Sequence, residues 1–346
     1  MSNLHIPNDW YSIPGYHLSS RWNTNRNSYG PGPTPPPPPP PPPYTSPLVA
    51  LGGAPNSTKF SSNGITWTSA DSHINIGRGV AWNGSIWLAV GDAPSTSALS
   101  TSPDGITWTA SINGNLIITS GCFGVAWNGS LWVAVGQGTN TIATSPDGMT
   151  WTASINGNLI FTSGCLGVAW NGSKWVAGGY GANRIATSTD GMNWTASTNG
   201  NSIFTDFVYG VAWNGSLWVA GGAGTNTIAT STDGMTWTVS TNGNLIFTNS
   251  CNSVAWNGSL WVAGGYGANT IATSTDGMTW TASSNGNLIF TLQCNGVAWA
   301  GNKWFAAGQG TNSIATSPDG MYWTVSNTGL NDGFGVASKV SNYPPY

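Results

Sequence analysis

The sequence predicts an all-β fold, a seven-bladed β-propeller with an extended N-terminal arm, and two repeated phrases predict it. The phrase Ser-x-Asp-Gly-x-Thr-Trp, or a near variant, occurs seven times, and after a first gap of 41 residues the spacing is always 43. A repeat of this length with strand-like content is typical of propellers and solenoids. These seven copies end at Trp67, Trp108, Trp151, Trp194, Trp237, Trp280 and Trp323. The second phrase, Val-Ala-Trp-Asn-Gly, runs out of phase with the first and places its Trp at 82, 127, 170, 213, 256 and 299.

One repeat unit is sufficient to predict four strands. Residues 125–127 predict the first strand, and Asn128-Gly129 predicts a two-residue hairpin because both positions tolerate positive φ. Residues 131–135, 141–145 and 149–153 predict three more strands, and Pro146-Asp147-Gly148 is a tight turn before the fourth. Four short antiparallel strands in one repeat make one propeller blade. No stretch of the chain has the 3.6-residue apolar period of a helix.

The two ends of the repeat array predict a closed ring. Residues 48–52 align with 132–136, so the first unit has strands two to four but no first strand. Residues 334–338 align with 123–127 and form a first strand with nothing after it. We therefore predict six whole blades and a seventh that is split between the termini. Pairing of the C-terminal strand into the N-terminal sheet would remove the edge that an open array exposes.

The shorter phrase also carries a resemblance. Residues 145–151 resemble the Asp-box, or BNR-type, repeat of sialidase-like and sortilin-like propellers, where the box lies in the turn between strands three and four. This chain has one residue fewer between Asp and Gly, and in this it is similar to repeats in phage and giant-virus proteins. The resemblance covers residues 47–338 and implies a fold, with little bearing on activity.

Composition divides the chain into four segments: 1–34, an aromatic docking arm; 35–46, a polyproline II spacer; 47–338, the propeller; and 339–346, a C-terminal tail. The unbroken prolines 35–43 would extend about 28 Å at ~3.1 Å per residue. An expendable low-complexity tail is the alternative, but aromatic residues are scarce in such tails. The arm aromatics are Trp10, Tyr11, Tyr16, Trp22 and Tyr29.

Charge is scarce, and this excludes some partners. Charged residues make up 5% of the chain, Glu is absent, and the net charge is -3. No basic cluster is present to neutralise phosphates, which argues against nucleic acid. No apolar run approaches the ~18 residues of a membrane span. With little charge repulsion, the chain is either hydrated by its hydroxyls and amides or packed against itself or under glycan.

The chain lacks most of the side chains that enzymes with this type of repeat use in catalysis. The sialidases that the box resembles use an arginine triad, a Tyr paired with Glu, and an acidic proton donor. Here Glu is absent, residues 47–338 contain only Arg78 and Arg184, and His73 is their sole histidine. We therefore expect no enzyme, metal or cofactor. The box aspartates occur once per blade and are expected to cap turns; they are Asp104, Asp147, Asp190, Asp233, Asp276 and Asp319, with Asn63 in the seventh box.

Cysteine and asparagine patterns suggest modification in an oxidising compartment. The four cysteines each precede a Val-Ala-Trp by the same spacing, in two pairs of neighbouring units, which predicts the disulfides Cys122–Cys165 and Cys251–Cys294; buried thiols copied with the repeat are the alternative. Several asparagines fit the N-glycosylation pattern, although the hairpin alone explains Asn-Gly. They are Asn56, Asn83, Asn128, Asn171, Asn193, Asn214 and Asn257.

The copies differ from one another at one end of each blade. One variable position reads Asp92, Gln137, Tyr180, Ala223, Tyr266 and Gln309, and a second variable stretch precedes the first strand, including Tyr209. Strand alternation puts both on one rim, where propellers usually bind partners; drift after duplication is the alternative. Gln137, Tyr180, Tyr209, Tyr266 and Gln309 are the candidate binding rim.

Two functions follow from these features. The first is a structural protein that associates with itself head-to-tail through its N-terminal arm, as a filament or an appendage of a virion or cell surface. The second is a binding propeller, lectin-like, that recognises carbohydrate or protein through the rim. The predicted partners are therefore the chain itself under the first function and glycans under the second, outside the cell or on a virion surface. The arm favours the first function, and near-identical blades suit either.

Overall fold

The computed structural model describes residues 46–54, 57–92 and 97–339. Backbone contacts divide the chain into two units, Met1–Pro42 and Pro43–Tyr346, and the described residues lie in the second. The predicted arm, nearly all of the predicted spacer and most of the C-terminal tail lie outside the described residues.

The described residues form short strands and one-turn helices. The strands up to the third sheet are β1 (Leu48–Gly52), β2 (Thr58–Ser61), β3 (Thr68–Ala70), β4 (Gly77–Trp82), β5 (Trp87–Gly91), β6 (Leu99–Ser102), β7 (Thr109–Ala110), β8 (Gly121–Trp127), β9 (Trp132–Gln137), β10 (Ile142–Ser145) and β11 (Thr152–Ala153). The next are β12 (Gly164–Trp170), β13 (Trp175–Tyr180), β14 (Ile185–Ser188), β15 (Thr195–Ala196), β16 (Phe207–Trp213), β17 (Trp218–Ala223), β18 (Ile228–Ser231) and β19 (Thr238–Val239). The last are β20 (Ser250–Trp256), β21 (Trp261–Tyr266), β22 (Ile271–Ser274), β23 (Thr281–Ala282), β24 (Gln293–Trp299), β25 (Trp304–Gln309), β26 (Ile314–Ser317), β27 (Thr324–Val325) and β28 (Gly333–Ser338). The helices are α1 (Gly114–Ile117), α2 (Gly157–Ile160), α3 (Gly200–Ile203), α4 (Gly243–Ile246) and α5 (Gly286–Ile289).

The strands form repeated four-stranded antiparallel sheets in which consecutive strands pair. In the sheet β8–β11, Trp127 lies opposite Trp132, Trp132 opposite Ser145, and Thr144 opposite Thr152. We call the strands of each sheet first to fourth in this order, the first being the one that carries Val-Ala-Trp or its equivalent. The sheets β16–β19 and β20–β23 are further joined through the pair Ala223 and Ser250.

The predicted strands exist, but their lengths differ from the prediction. The first strand begins at Gly121, four residues before the predicted start, because a bulge between Cys122 and Gly124 lets pairing continue. The fourth strand keeps only Thr152 and Ala153. As a result, the first and second strands of a sheet share more paired residues than the third and fourth strands do.

Five one-turn helices were not predicted, and they make the chain mostly rather than wholly β. Each follows a fourth strand at a Gly-Asn-Leu-Ile or Gly-Asn-Ser-Ile segment. In α2 the N–H of Gly157 donates to Ser154 Oγ at 3.1 Å, and the N–H of Phe161 donates to the carbonyl of Gly157. A turn this short shows no 3.6-residue period, so only the recurring serine and glycine signal it.

The N-terminal strand pairs with the C-terminal one. β1 is antiparallel to β28, with Leu48 opposite Ser338 and Ala50 opposite Val336, and the sheet continues through β2 and β3. β28 also lies beside β4, where a Cβ on Gly335 would be 2.7 Å from the carbonyl oxygen of Arg78. The two ends of the repeat array are therefore brought into one sheet.

Neighbouring first strands approach each other closely at a glycine. A Cβ on Gly124 would stand 2.9 Å from the Leu166 carbonyl oxygen, and one on Gly167 would stand 2.4 Å from the Tyr209 carbonyl oxygen. Real Cβ atoms do not come this close to backbone, so the packing admits no side chain there without moving a strand. Gly79, Gly210 and Gly296 have similar neighbours.

Consecutive sheets are also tied together at an asparagine. The Asn156 side chain donates from Nδ2 to the Trp194 carbonyl at 2.8 Å and accepts from the Trp194 N–H at 2.8 Å. The amide thus pairs with the backbone of the next sheet as another strand would. The same pair of bonds recurs from the residue that precedes each of the other helices: Asn113 to Trp151, Asn199 to Trp237, Asn242 to Trp280 and Asn285 to Trp323.

The core lies between the sheets. Buried side chains of the described residues form seven clusters, each drawing on two consecutive sheets. The tryptophan that opens the second strand, such as Trp132, is fully buried in every sheet except the one that contains β1, where Leu48 takes its place and is also buried. The box tryptophan is also buried in six of the seven boxes, and its indole N–H donates to the glycine carbonyl of the box, as Trp151 does to Gly148 at 3.1 Å. Trp67 of the first box is partly buried, and its indole N–H donates to Ser326 Oγ at 2.9 Å.

A truncation tests the pairing of β1 with β28. Removing residues 333–346 should expose the β1 edge, lower the melting temperature and promote aggregation, because an unpaired strand edge pairs with other chains. Removing only 340–346 is the matched control and should leave the melting temperature unchanged. Circular dichroism melts and light scattering report both effects. An unchanged melting temperature in the longer truncation would contradict the role assigned to β28.

Candidate functional site

The two variable sets meet at one end of the sheets, where the first strand begins and the second strand ends. Gln137 lies opposite Gly121, Tyr180 opposite Gly164, and Tyr266 opposite Ser250. The cross-strand pairs bring the variable position of the second strand beside the variable start of the first strand. We call this end the variable rim, and the opposite end of the same strands, which carries the Trp of Val-Ala-Trp, the Trp end.

Aromatic and amide side chains are in contact across the variable rim. Tyr180 Oη donates to Gln137 Oε1 at 2.9 Å, which links neighbouring sheets. The Tyr180 ring lies 5.0 Å from the Phe207 ring, and Phe207 stacks on Tyr209 at 5.4 Å between centroids. These rings are partly exposed, so the three sheets together present an apolar surface edged by a phenol and an amide. Sequence reasoning placed Phe207 in a variable stretch but did not select it.

Burial affects one rim phenol. Desolvation raises the pKa of Tyr209, and the negative charge of Asp206 adds to the effect. The hydroxyl therefore stays protonated at neutral pH and can act as both donor and acceptor. It has the chemistry of a hydrogen-bonding group rather than that of a nucleophile.

The rest of the rim is held by amide and ionic contacts. Gln293 Nε2 donates to Gln309 Oε1 at 2.5 Å. Arg78 makes a two-bond ion pair with Asp92, at 2.7 and 3.0 Å, and its guanidinium lies 4.5 Å from the centre of the Phe334 ring. Tyr266 is 39% exposed. Asp92 was noted as variable, but its arginine partner was not expected, since Arg78 lies on β4 and Asp92 directly follows β5.

The box aspartates act within their own turns. Asp147 Oδ1 accepts from the N–H of Met149 at 2.8 Å, from the N–H of Thr150 at 2.9 Å and from the Ser145 hydroxyl. Asn63 accepts from Ile65 and Thr66 with the same geometry. The uncharged Asn63 side chain accepts the same two backbone hydrogen bonds as Asp147, so the turn requires an acceptor oxygen but no negative charge.

These hydrogen bonds alter the acidity of the carboxyls. The N–H of Thr150, and less strongly that of Met149, lower the pKa of Asp147 against an opposing effect of burial. Burial raises the pKa of Asp190, but the Asn193 side chain and N–H overcome it and bring the value to about 2. The pKa is lowered also at Asp104, Asp233, Asp276 and Asp319.

The four cysteines are free and buried in the structure, and the two predicted disulfides are not formed in it. Cys251 Sγ faces Gly221 of the preceding sheet, where an added Cβ would be 2.7 Å away, and Cys294 Sγ faces Gly264 in the same way. Each thiol therefore fills its own gap between sheets, and one sheet stands between the two sulfurs. Burial raises the pKa of all four thiols, which keeps them protonated.

The cysteine position belongs to a set of complementary pairs in the gaps between sheets. Where the second strand carries a glycine, the next first strand carries a larger residue, as with Gly178 and Val208 at 2.4 Å from the added Cβ. Where the second strand carries Leu51, the next first strand carries Gly77. In these gaps a small residue on one strand accommodates a larger one on the other. In two further gaps both partners have side chains, since Val90 packs with Cys122 and Val135 with Cys165.

The candidate glycosylation asparagines have roles in turns. Asn128 Oδ1 accepts from the N–H groups of Ser130 and Leu131, which fixes the hairpin, and Asn83, Asn171, Asn214 and Asn257 do the same in theirs. Asn193 Nδ2 donates to Asp190. Asn56 lies outside the described residues, as do the arm aromatics Trp10, Tyr11, Tyr16, Trp22 and Tyr29.

Within residues 46–54, 57–92 and 97–339, no three His, Cys or acidic side chains are grouped to hold a metal ion. His73 has φ of 59° and its Nε2 is 3.1 Å from the Trp108 carbonyl oxygen. In the same part of the chain, no helix has the length and apolarity that a membrane span requires.

Comparison with known proteins identifies the fold alone. No family model matches the sequence, and no curated protein matches it. The structure is similar to a GH74 enzyme of Niastella koreensis, with TM-score 0.55, 17% identity and coverage of 78% of this chain. It is similar to a putative 6-phosphogluconolactonase of Bacteroides uniformis, with TM-score 0.54, 12% identity and coverage of 85% of this chain and 99% of that one. It is also similar to YCF48 bound to D1 peptide, with TM-score 0.51, 16% identity and coverage of 84% and 88%.

The chain spans 42% of the length of the GH74 enzyme. At these identities the likeness extends to the backbone arrangement and not to activity. The repeated four-stranded sheets and these neighbours together make this a β-propeller-type fold.

Replacing the six box aspartates with uncharged residues tests their role in the turns. Because their folded pKa is lowered, their stabilising effect is present above the unfolded pKa of about 3.9 and is lost as pH falls through the folded value. The melting temperature should therefore fall between about pH 4 and pH 2. Replacing all six with Asn, as at Asn63, should flatten this fall, whereas Asp147→Ala should cost about 1 kcal/mol at neutral pH, as lost caps do. Thermal melts from pH 2 to 7 measure both; equal acid sensitivity in the Asn variant would refute the assignment.

Proposed function

We propose that this chain is a non-enzymatic binding protein whose variable rim recognises carbohydrate. We further propose that its sheets are the blades of a seven-bladed propeller closed by β28, acting outside the cell or on a virion surface. The pairing of β1 with β28 and the contact of β28 with β4 support the closed ring. The shortened box supports membership of the Asp-box class.

The observation that carries the binding function is the contact between Gln137, Tyr180, Phe207 and Tyr209. Aromatic faces pack against the C–H face of a sugar ring, and phenol and amide groups exchange hydrogen bonds with its hydroxyls. The rim residues differ from sheet to sheet while the box residues stay constant. The sequence differences between copies are therefore concentrated at the surface where a ligand would bind. An exposed surface of this chemistry suits a neutral polar ligand better than a charged one.

Glycan binding by rim variants tests this proposal. Wild-type protein should bind members of a glycan array, and Tyr180→Ala or Tyr209→Ala should weaken that binding about tenfold, or about 1.4 kcal/mol. Tyr322→Ala is the matched control, since Tyr322 is 64% exposed in the box turn of Asp319, far from the rim. Absence of any glycan ligand, or equal loss in the control, would refute a carbohydrate site on the rim.

Self-association through the N-terminal arm is a second candidate, favoured by where the described chain begins. Ser46 and Pro47 lead into β1 at the Trp end, and the Pro47 carbonyl accepts from the Lys339 N–H at 3.0 Å. The arm is therefore connected at the end opposite the variable rim, so that assembly and glycan binding would use different faces. Apolar arm side chains gain about 1.5–3 kcal/mol each when buried in a neighbour.

Deleting residues 1–34 tests the second candidate. The truncated protein should remain folded but should lose higher assemblies that the full chain forms at high concentration. Light scattering and electron microscopy compare the two proteins, and circular dichroism checks the fold. A full chain that stays monomeric, or a truncation that assembles equally well, would exclude the arm as the assembling element.

A further inference from the structure

We infer that the Trp end is a receptor for a polyproline II segment, and that its occupant is residues 35–43 of a second copy of this chain. The inference rests on the self-association proposed above and names its receiving surface. The contact between the proline run and the Trp end is distinct from the contact proposed for the arm, since it does not require the arm aromatics.

The receptor is a set of tryptophans at one end of a central cavity. The Val-Ala-Trp segments of the first strands line a cavity of about 340 Å³, and the lining residues are all uncharged. Five partly exposed indoles line this cavity at its Trp end: Trp82, Trp127, Trp170, Trp213 and Trp256. Trp299 is the equivalent residue of a sixth first strand and is also partly exposed, but it is not among the residues that line the cavity. Ser338 holds the seventh equivalent position.

The indoles are held rigidly. Trp127 packs on the fully buried Trp132 with 5.0 Å between ring centroids, and the other five first-strand tryptophans pack on their second-strand partners at 4.9 to 5.1 Å. One side of each indole is therefore covered and part of the other surface remains accessible. No described residue accepts a hydrogen bond from their N–H groups, so these donors are available for a ligand.

Proline-rich chain fits this surface better than other ligands. Polyproline II segments dock on aromatic-lined surfaces, because the proline rings pack on the aromatic faces and little conformational entropy is lost. Their carbonyls accept from indole N–H groups, and they carry no backbone donor that needs a partner. The Lys339 ammonium lies 4.3 Å from the centre of the Trp82 ring. Lys174, in a hairpin of the same end, donates from Nζ to the Asp233 carbonyl.

The chain supplies such a segment next to the receptor. The nine prolines 35–43 end at Pro43, and Tyr44 and Thr45 separate them from Ser46, which leads into β1 at the Trp end. The three steps from Pro43 to Ser46 span at most about 11 Å when extended, so a chain binding its own run would have to reverse within that length. A neighbour whose Trp end faces this one needs no reversal.

Segment and receptor therefore belong to the same face, which sets the symmetry. Two copies with facing Trp ends exchange their proline runs in an isologous contact that closes at two. Assembly beyond the pair would then require the arm.

Wild-type protein, three full-length variants and one peptide test the inference. Trp127→Ser with Trp213→Ser places the residue of Ser338 at two more positions, and a second variant replaces residues 35–43 with nine Gly and Ser residues. Leu159→Ala is the control, since Leu159 is 76% exposed in α2 and belongs to neither proposed binding surface. Sedimentation should show a pair for wild type and for Leu159→Ala and a monomer for the other two. A blocked nonaproline peptide should change the tryptophan fluorescence of the Gly/Ser variant and bind about tenfold more weakly to the Trp double variant.

The results distinguish whether the Trp end binds polyproline at all from whether a second copy of the chain is what it binds. Equal peptide binding by the double variant, or none by the Gly/Ser variant, overturns the receptor. Peptide binding by the Gly/Ser variant together with a monomeric wild type overturns the second copy as occupant. Wild-type pairing that survives the Gly/Ser replacement but not removal of residues 1–34 assigns self-association to the arm alone and overturns this inference. Melting temperatures establish that each variant is folded, and the Gly/Ser replacement leaves the tryptophans untouched.

Discussion

The close approach of neighbouring first strands is the constraint on which the rest of the structure depends. A Cβ on Gly124 would be 2.9 Å from the Leu166 carbonyl, so the spacing between sheets is set by bare backbone. Any larger residue there would tilt one sheet, and the error would be passed to the next. Ser253 occupies the equivalent position in one sheet, and its hydroxyl accepts from the Val297 N–H at 3.2 Å. The exception is accommodated because its extra atom becomes a hydrogen-bond partner.

The two ends of the first strands are chemically different because they are built from different parts of the repeat. The Trp end contains the residues that barely change, with indoles fixed on buried indoles. The rim holds the positions that differ, and their contacts run from sheet to sheet, as from Gln137 to Tyr180. A rigid constant face and an adaptable variable face can serve different partners without either disturbing the other.

The sequence was sufficient for the repeat period, the hairpins and the pairing of the terminal strands, since these depend on local turn chemistry and on alignment of copies. The helices were not predicted, because a helix of one turn is too short to show the 3.6-residue apolar period. The bond between Asn156 and Trp194 could not be foreseen, because it joins residues of different sheets. The thiols of Cys251 and Cys294 share a spacing that suggested a bridge, but spacing does not show that a sheet separates them. Rim contacts such as Phe207 on Tyr209 depend on side-chain orientation, which copy-to-copy comparison does not give.

The unequal residues in the gaps between sheets give this nearly uniform chain a fixed order of assembly. Gly178 accommodates Val208, whereas Leu51 tolerates only Gly77. If two repeats exchanged places, large side chains would meet in one gap and leave a void in another, and both are destabilising. The sheets thus fit their neighbours by shape, and this distinguishes the observed order of sheets from the shuffled orders that identical repeats would permit.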